Sequence, residues 1–321
     1  MRKNKLCLSS LVILILFFTA ENIKRDKHSY YNEMKKAQKK MTILSKEVLK
    51  EKKNRGIEID RKIDLNRSGL LGEEFTGITT TLGDLDSKRA STNPDFAAYF
   101  VKKFKEKNLE KGDLVYVNMS SSFPGLNLSI ISALDILELD GIIVNSIGSS
   151  MYGANNEEFT FLEMGHFLKE KKMIQNEIKA YSLGGDGDLG KNFDEDIKIE
   201  IEKRIEDFKI EKIKIEDFKL NLENRIKFYN SFGRAKYFVN IGGNFFHAQL
   251  ETYYKNKNIP VLSMLNIKQI ASDNGISIDG KLLEKDSGLY YKKDNKIIYW
   301  TIILIFFGYL YFRSKKIIKF F

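Results

Sequence analysis

"VYVNMSSSFPGLN", Val115 to Asn127, decides how this chain is read. A largely apolar run, with β-branched Val115 and Val117, reaches Met119 and stops at three serines. Phe-Pro-Gly and a helical pattern follow. A short apolar run without alternation is the pattern of a strand covered on both faces, as in a parallel sheet. Pro124 suits the first turn of a helix, where its missing N–H costs nothing. The stretch therefore predicts strand, hydroxylated turn and helix. The serines themselves admit three readings. Ser121 or Ser122 is a nucleophile presented on a strand-to-helix turn; or the group cradles an anionic or sugar-like ligand; or it caps the helix. The G-x-S-x-G pattern of the hydrolase elbow is absent, and neither His166 nor His247 is marked by the sequence as its base.

Outward from this stretch the same unit recurs. "GIIVNSI" (141–147), "IKAYSL" (178–183), "AKYFVNI" (235–241) and "IPVLSML" (259–265) are further apolar runs, each ended by small or polar residues. Helical patterns lie between them, such as "NPDFAAYFVKKFKEKN", with Asn93 as N-cap and Pro94 opening the helix. Strands alternating with helices imply an α/β domain: an open, mostly parallel sheet with helices on both faces, Rossmann-like. Before it, Met34, Ala37, Met41, Leu44, Val48 and Leu49 recur at helical spacing, which predicts an amphipathic helix rising from the membrane. The charged stretch 192–230 reads as a helical insertion without catalytic content, with one β-like piece where "IKIEIE" and "KIKIE" alternate.

Ligands of an open parallel sheet bind beyond the carboxyl ends of its strands. The loops there are "SSSFPGLN", "SIGSSMYGANNEE", "GGDGDLG", "GGNFFH" and "NIKQIASDNG". The hydroxyl-rich, basic loop "FTGITTTLGDLDSKRASTNPDF" precedes the first strand. Candidate ligand-binding residues are Thr79, Thr80, Thr81, Lys88, Arg89, Ser120, Ser149, Ser150, Asn155, Gly242, Gly243 and Asn244. Lys88 and Arg89 offer charge to a carboxylate or phosphate; backbone N–H groups at the following helix N-termini add to it. Asp186 and Asp188 are candidate Ca²⁺ or Mg²⁺ oxygens, against the alternative of a glycine turn whose Asp residues tolerate unusual dihedrals. No P-loop G-x-x-x-x-G-K-[ST] occurs, and no cofactor is expected.

The formal charge of +10 is spread and interleaved with acids, without an Arg-rich stripe, which argues against nucleic acid as partner. The single cysteine, Cys7, allows no intrachain disulfide. Residues 1–23 carry a basic start and an apolar run from Leu6 to Ala20, a signal peptide or signal anchor. Phe18 stands where cleavage wants a small residue, so an uncleaved transmembrane anchor is expected. A second transmembrane helix is expected over 297–313, where 16 uncharged residues from Ile297 to Phe312 precede a basic tail, 314–321. Lys and Arg at both ends place both termini in the cytoplasm under the positive-inside rule. The expected organisation is anchor (1–23), amphipathic helix and connector (24–68), extracytoplasmic α/β domain (69–296), span and tail, in the cytoplasmic (inner) membrane.

Six segments, "GLLGEEFTGITTTLGDLDSKRASTNPDFAAYFV", "SSSFPGLNLSIISALDIL", "NSIGSSMYGANNEEFTFLEM", "GGDGDLG", "VNIGGN" and "IPVLSMLNI", occur in order between Gly69 and Gly275. Together they resemble the poly-gamma-glutamate system protein family, found with bacterial loci that make and export this capsule polymer. The resemblance implies an accessory role at the cell envelope, with poly-γ-glutamate or its synthase and export machinery as partner. It supplies no reaction and no catalytic residues. The rival expectation is a Ser-dependent hydrolase or transferase acting on that polymer or a related one.

Overall fold

A computed structural model describes residues 26–213, 217–243, 245–292 and 302–308. The chain divides into two units: Ser29–Tyr290, and a second made of the two ends. In the second, Lys27 and Tyr291 form an antiparallel bridge, and residues 302–308 are helical with Leu304, Ile305 and Phe307 exposed. Among the described residues no helix is long and apolar enough to cross a membrane. The expected anchor at 1–23 lies outside the described residues, as does all of the expected 297–313 span except 302–308.

The first unit is the expected α/β domain, and its sheet is wholly parallel. Six strands, β1 (Leu114–Ser120), β2 (Asp140–Ser146), β3 (Ile178–Ser182), β4 (Glu211–Lys212), β5 (Tyr237–Ile241) and β6 (Val261–Met264), lie in the order β4-β3-β2-β1-β5-β6. Strand order runs outward from β1 in both directions. The chain's two windings thus part between β1 and β5, where an open α/β sheet has its crevice.

One face carries α1 (Tyr31–Asn54), α3 (Asp95–Glu106) and α4 (Pro124–Leu137), packed on one another. Met34, Ala37, Met41, Leu44 and Val48 of α1 are buried. Their stripe is spent on the domain's own helices, so the expected amphipathic helix is built into the α/β unit as α1. The short α2 (Leu85–Ser91) sits just ahead of α3, whose N-cap is Pro94 and not the expected Asn93; Asn93 Oδ1, one residue earlier, accepts from Asp95 N at 3.0 Å.

On the other face α7 (Phe218–Asn230) and α8 (Phe245–Asn256) cover an aromatic core. There Tyr116, Phe238, Phe228, Tyr229, Phe246 and Tyr254 pack together. The charged stretch thus contributes α6 (Glu195–Ile205), β4 and α7 to the domain. "IKIEIE" is helical within α6, while part of "KIKIE" forms β4 and residues 214–216 lie outside the described residues. The remaining helices are α5 (Phe161–Glu170) and α9 (Ile267–Asp273).

Candidate functional site

The three serines leave the helix after them uncapped by any side chain: its N-cap is Phe123. They are spent instead on joining the ends of β1 and β2. Ser121 is fully buried and its Oγ donates to Ser146 O at 2.8 Å, which removes it as a nucleophile. Ser120 Oγ donates to Ser122 Oγ at 2.8 Å. Ser122 Oγ also accepts the N–H of Ser150 at 2.9 Å. Gly153 permits this approach, because a Cβ there would fall 2.8 Å from Ser122 O.

Lys88 enters this hydroxyl cluster from α2. It is 1% exposed, and its Nζ donates to Ser122 O and meets Ser150 Oγ at 2.6 Å. The ring of Phe123 lies 4.0 Å from the nitrogen. Among the described residues no carboxylate pairs with it; Asp84, the N-cap of α2, is instead bridged by Lys268 at 2.6 Å. Burial therefore dominates and pulls the Lys88 ammonium down to about 7, opposed only in part by the charge of Asp84.

The other predicted residues fall in distinct places. Thr79 bridges in parallel to Ser149, and Thr80 N donates to Ser149 O at 2.8 Å, which ties this segment to the loop after β2. Asn155 is buried and bonds Glu73 and Thr79, so it clamps this loop and faces no opening. Thr81 is exposed, with its carbonyl accepting from Met151 N. Arg89 turns away and binds the carbonyls of Lys62 and Ile63, so the expected Lys88–Arg89 pair does not converge on one ligand: neighbours on a helix point about 100° apart. Gly242 backs onto the site with φ +96°, and a Cβ there would come 2.7 Å from Ser120 Cβ. Gly243 follows it beneath Leu265, and Asn244 lies outside the described residues.

Asp186 is exposed and Asp188 is not. Positive φ at Gly184, Gly185, Gly187, Asp188 and Gly190 coils "GGDGDLG" back under the strand ends. This delivers the Asp188 carboxylate to Arg225 of α7 at 2.7 Å and to Ser182 Oγ at 2.7 Å. Asp188 is thus committed to a guanidinium. No group of three or more His, Cys, Asp or Glu is placed to hold a metal among the described residues. Arg225, wholly buried, also reaches Asn118 and Ser182 at 2.6 Å each. Asn118 continues to its register partner Asn240, which bonds Glu251 at 2.7 Å. A polar layer therefore crosses β3, β1 and β5 just beneath the rim, on the face opposite Ser121. Sequence reading missed Arg225. Its one signal was its place on a stripe with Asn221, Phe228 and Tyr229, the buried side of α7.

His247 is buried beside Gly242, and desolvation holds it neutral, down to about 4. His166 stacks on Phe208 with ring centroids 3.7 Å apart, distant in the fold from the serines' strand ends. A separate cleft of about 950 Å³ lies between residues 52–76 and 156–158. Its lining includes Glu58, Asp60, Glu73, Glu74, Glu157 and Glu158, a charge opposite to that of Lys88 and unsuited to a polycarboxylate. No protein-family model, curated protein or solved structure matches this chain.

Proposed function

We propose that this chain is a membrane-anchored accessory component of a bacterial poly-γ-glutamate synthesis or export system. In this reading it binds the anionic polymer, or a related anionic ligand, at the carboxyl-end loops of its sheet. The observation that carries the reading is Lys88. A buried ammonium with no carboxylate paired to it among the described residues, held by Ser122 O and Ser150 Oγ, is costly unless an anion completes it. A polymer carboxylate supplies that charge, and the hydroxyls supply hydrogen bonds. The resemblance of the loops names the polymer, and the apolar ends of the chain supply the attachment. Their flanking basic residues support cytoplasmic termini with the domain outside.

Binding of poly-γ-glutamate of defined length to the full chain in detergent micelles tests this. Lys88 carries its charge below about pH 7, so affinity falls between pH 6 and pH 9. Lys88→Met loses roughly tenfold or more at pH 6, the worth of a charge-assisted hydrogen bond. Equal affinity of wild type and Lys88→Met at pH 6 refutes the reading. For the topology, a reporter active only outside the cytoplasm and inserted near Asn192 is expected to be active; a silent one, with a cytoplasmic reporter active there, reverses the orientation.

A further inference from the structure

Lys88 and Ser150 are 62 residues apart in sequence, yet Nζ and Oγ meet at 2.6 Å. The rest of the cluster fixes them in place. Ser122 holds the Ser150 backbone through its own Oγ and holds Lys88 through its carbonyl. Gly83 lies close under the lysine: a Cβ there would fall 3.2 Å from Lys88 Cε and 2.5 Å from Met151 O. An apolar side chain would fill the volume of a merely structural lysine without burying an amine. A buried amine against a hydroxyl, with no carboxylate in direct contact among the described residues, is instead the arrangement that activates a serine.

We propose that Lys88 and Ser150 form a serine–lysine dyad for acyl transfer, with Ser150 Oγ as nucleophile and Lys88 Nζ as general base. The substrate class is a carbonyl with an amine or alcohol leaving group. That it is the γ-amide of poly-γ-glutamate rests on the binding reading above. The neutral amine takes the Ser150 hydroxyl proton as Oγ bonds to the carbonyl carbon. The C–N bond then breaks and Lys88 returns the proton to the departing amine, leaving an acyl ester on Ser150. Water completes hydrolysis, or an incoming amine completes transfer, with Lys88 again taking and returning one proton. The first turn of α4, opening just after Phe123, has N–H groups without intrahelical acceptors, and their positive end favours developing negative charge. Asp84 is the charged group that acts on Lys88, and it opposes the loss of the proton only in part. The amine form is therefore available near neutral pH.

The dyad makes catalysis and binding run oppositely with pH. Acylation rises through about pH 7 as the amine form appears, whereas polyanion binding falls. The full chain in detergent micelles is treated with a fluorophosphonate ester, which phosphonylates an activated serine Oγ with loss of fluoride, and the adduct is mapped by mass spectrometry. Expected is an adduct on Ser150 whose rate rises between pH 6 and pH 8. Lys88→Met slows it by roughly 100-fold or more, the usual share of a general base. Ser150→Ala, which removes one hydroxyl and keeps the fold as judged by circular dichroism, abolishes it. No adduct on Ser150 in the wild type, or an adduct whose rate Lys88→Met leaves unchanged, overturns the dyad. Labelling without polymer binding supports the dyad and refutes the polymer. Polymer binding without labelling does the reverse.

Discussion

Asp188→Asn isolates the charge at the centre of the polar layer. Asp188 sits at φ +64°, a conformation that asparagine also tolerates, so backbone strain changes little. Side-chain volume is almost conserved, and the amide oxygen can still accept from Ser182. What is lost is the negative charge opposite Arg225, in a pair whose side chains are 0% and 4% exposed at 2.7 Å. Removing one member of a buried pair leaves the other uncompensated and costs about 3–5 kcal/mol. The retained serine bond argues for the lower end, about 3 kcal/mol. With a denaturant slope near 3 kcal/mol per molar, reasonable for a chain of this size, the urea midpoint falls by about 1 M. Far-UV circular dichroism of the full chain in micelles at pH 7 reads this, with tyrosine fluorescence as a second probe to confirm one transition. Asp188→Asn with Arg225→Met removes both charges and is expected to regain about half the loss. A single-variant shift below about 0.3 M, or a double variant less stable than the single, refutes the claim that the pair is a matched buried charge.

Lys88→Met also has a stability signature. The side chain releases its proton near pH 7 when folded, against an ordinary value of 10.5. Between these values the unfolded chain binds one more proton, so wild-type stability rises with pH there, and below pH 7 the full cost of burying the ammonium is present. The advantage of Lys88→Met over wild type in urea is therefore largest at pH 6 and shrinks toward pH 10; an advantage that grows with pH contradicts the burial argument. Gly242→Ala forces a Cβ into φ +96° and to 2.7 Å from Ser120 Cβ. A loss of about 1–3 kcal/mol is expected, with weakened polymer binding as Ser120 is displaced; a neutral substitution would mean that this backbone is not constrained.

Much of the fold was legible because its signals are local. Each apolar run of five to seven residues between small-residue turns became a parallel strand within a residue or two, and Pro124 opened its helix as expected. The hydroxylated rim was legible too, since a sheet's carboxyl-end loops follow directly from where its strands stop. The helical period of Met34, Ala37, Met41, Leu44 and Val48 gave α1, but not what that stripe would cover. The charge of 192–230 suggested a solvated insertion. Only packing revealed that Arg225 points inward, since one buried guanidinium is lost among many exposed charges.

By itself the sequence determined the strands, the helices and the chemistry of the loops, because periodicity, glycine and proline act over a few residues. Tertiary structure decided that β5 lies beside β1, that Asp188 is bound to an arginine, and that Arg89 faces away while Lys88 faces in. It also sealed Ser121 against Ser146 and brought Ser150 to Lys88. Such meetings join residues dozens of positions apart, and their energy exists only once the sheet and its covering helices have closed and water has left.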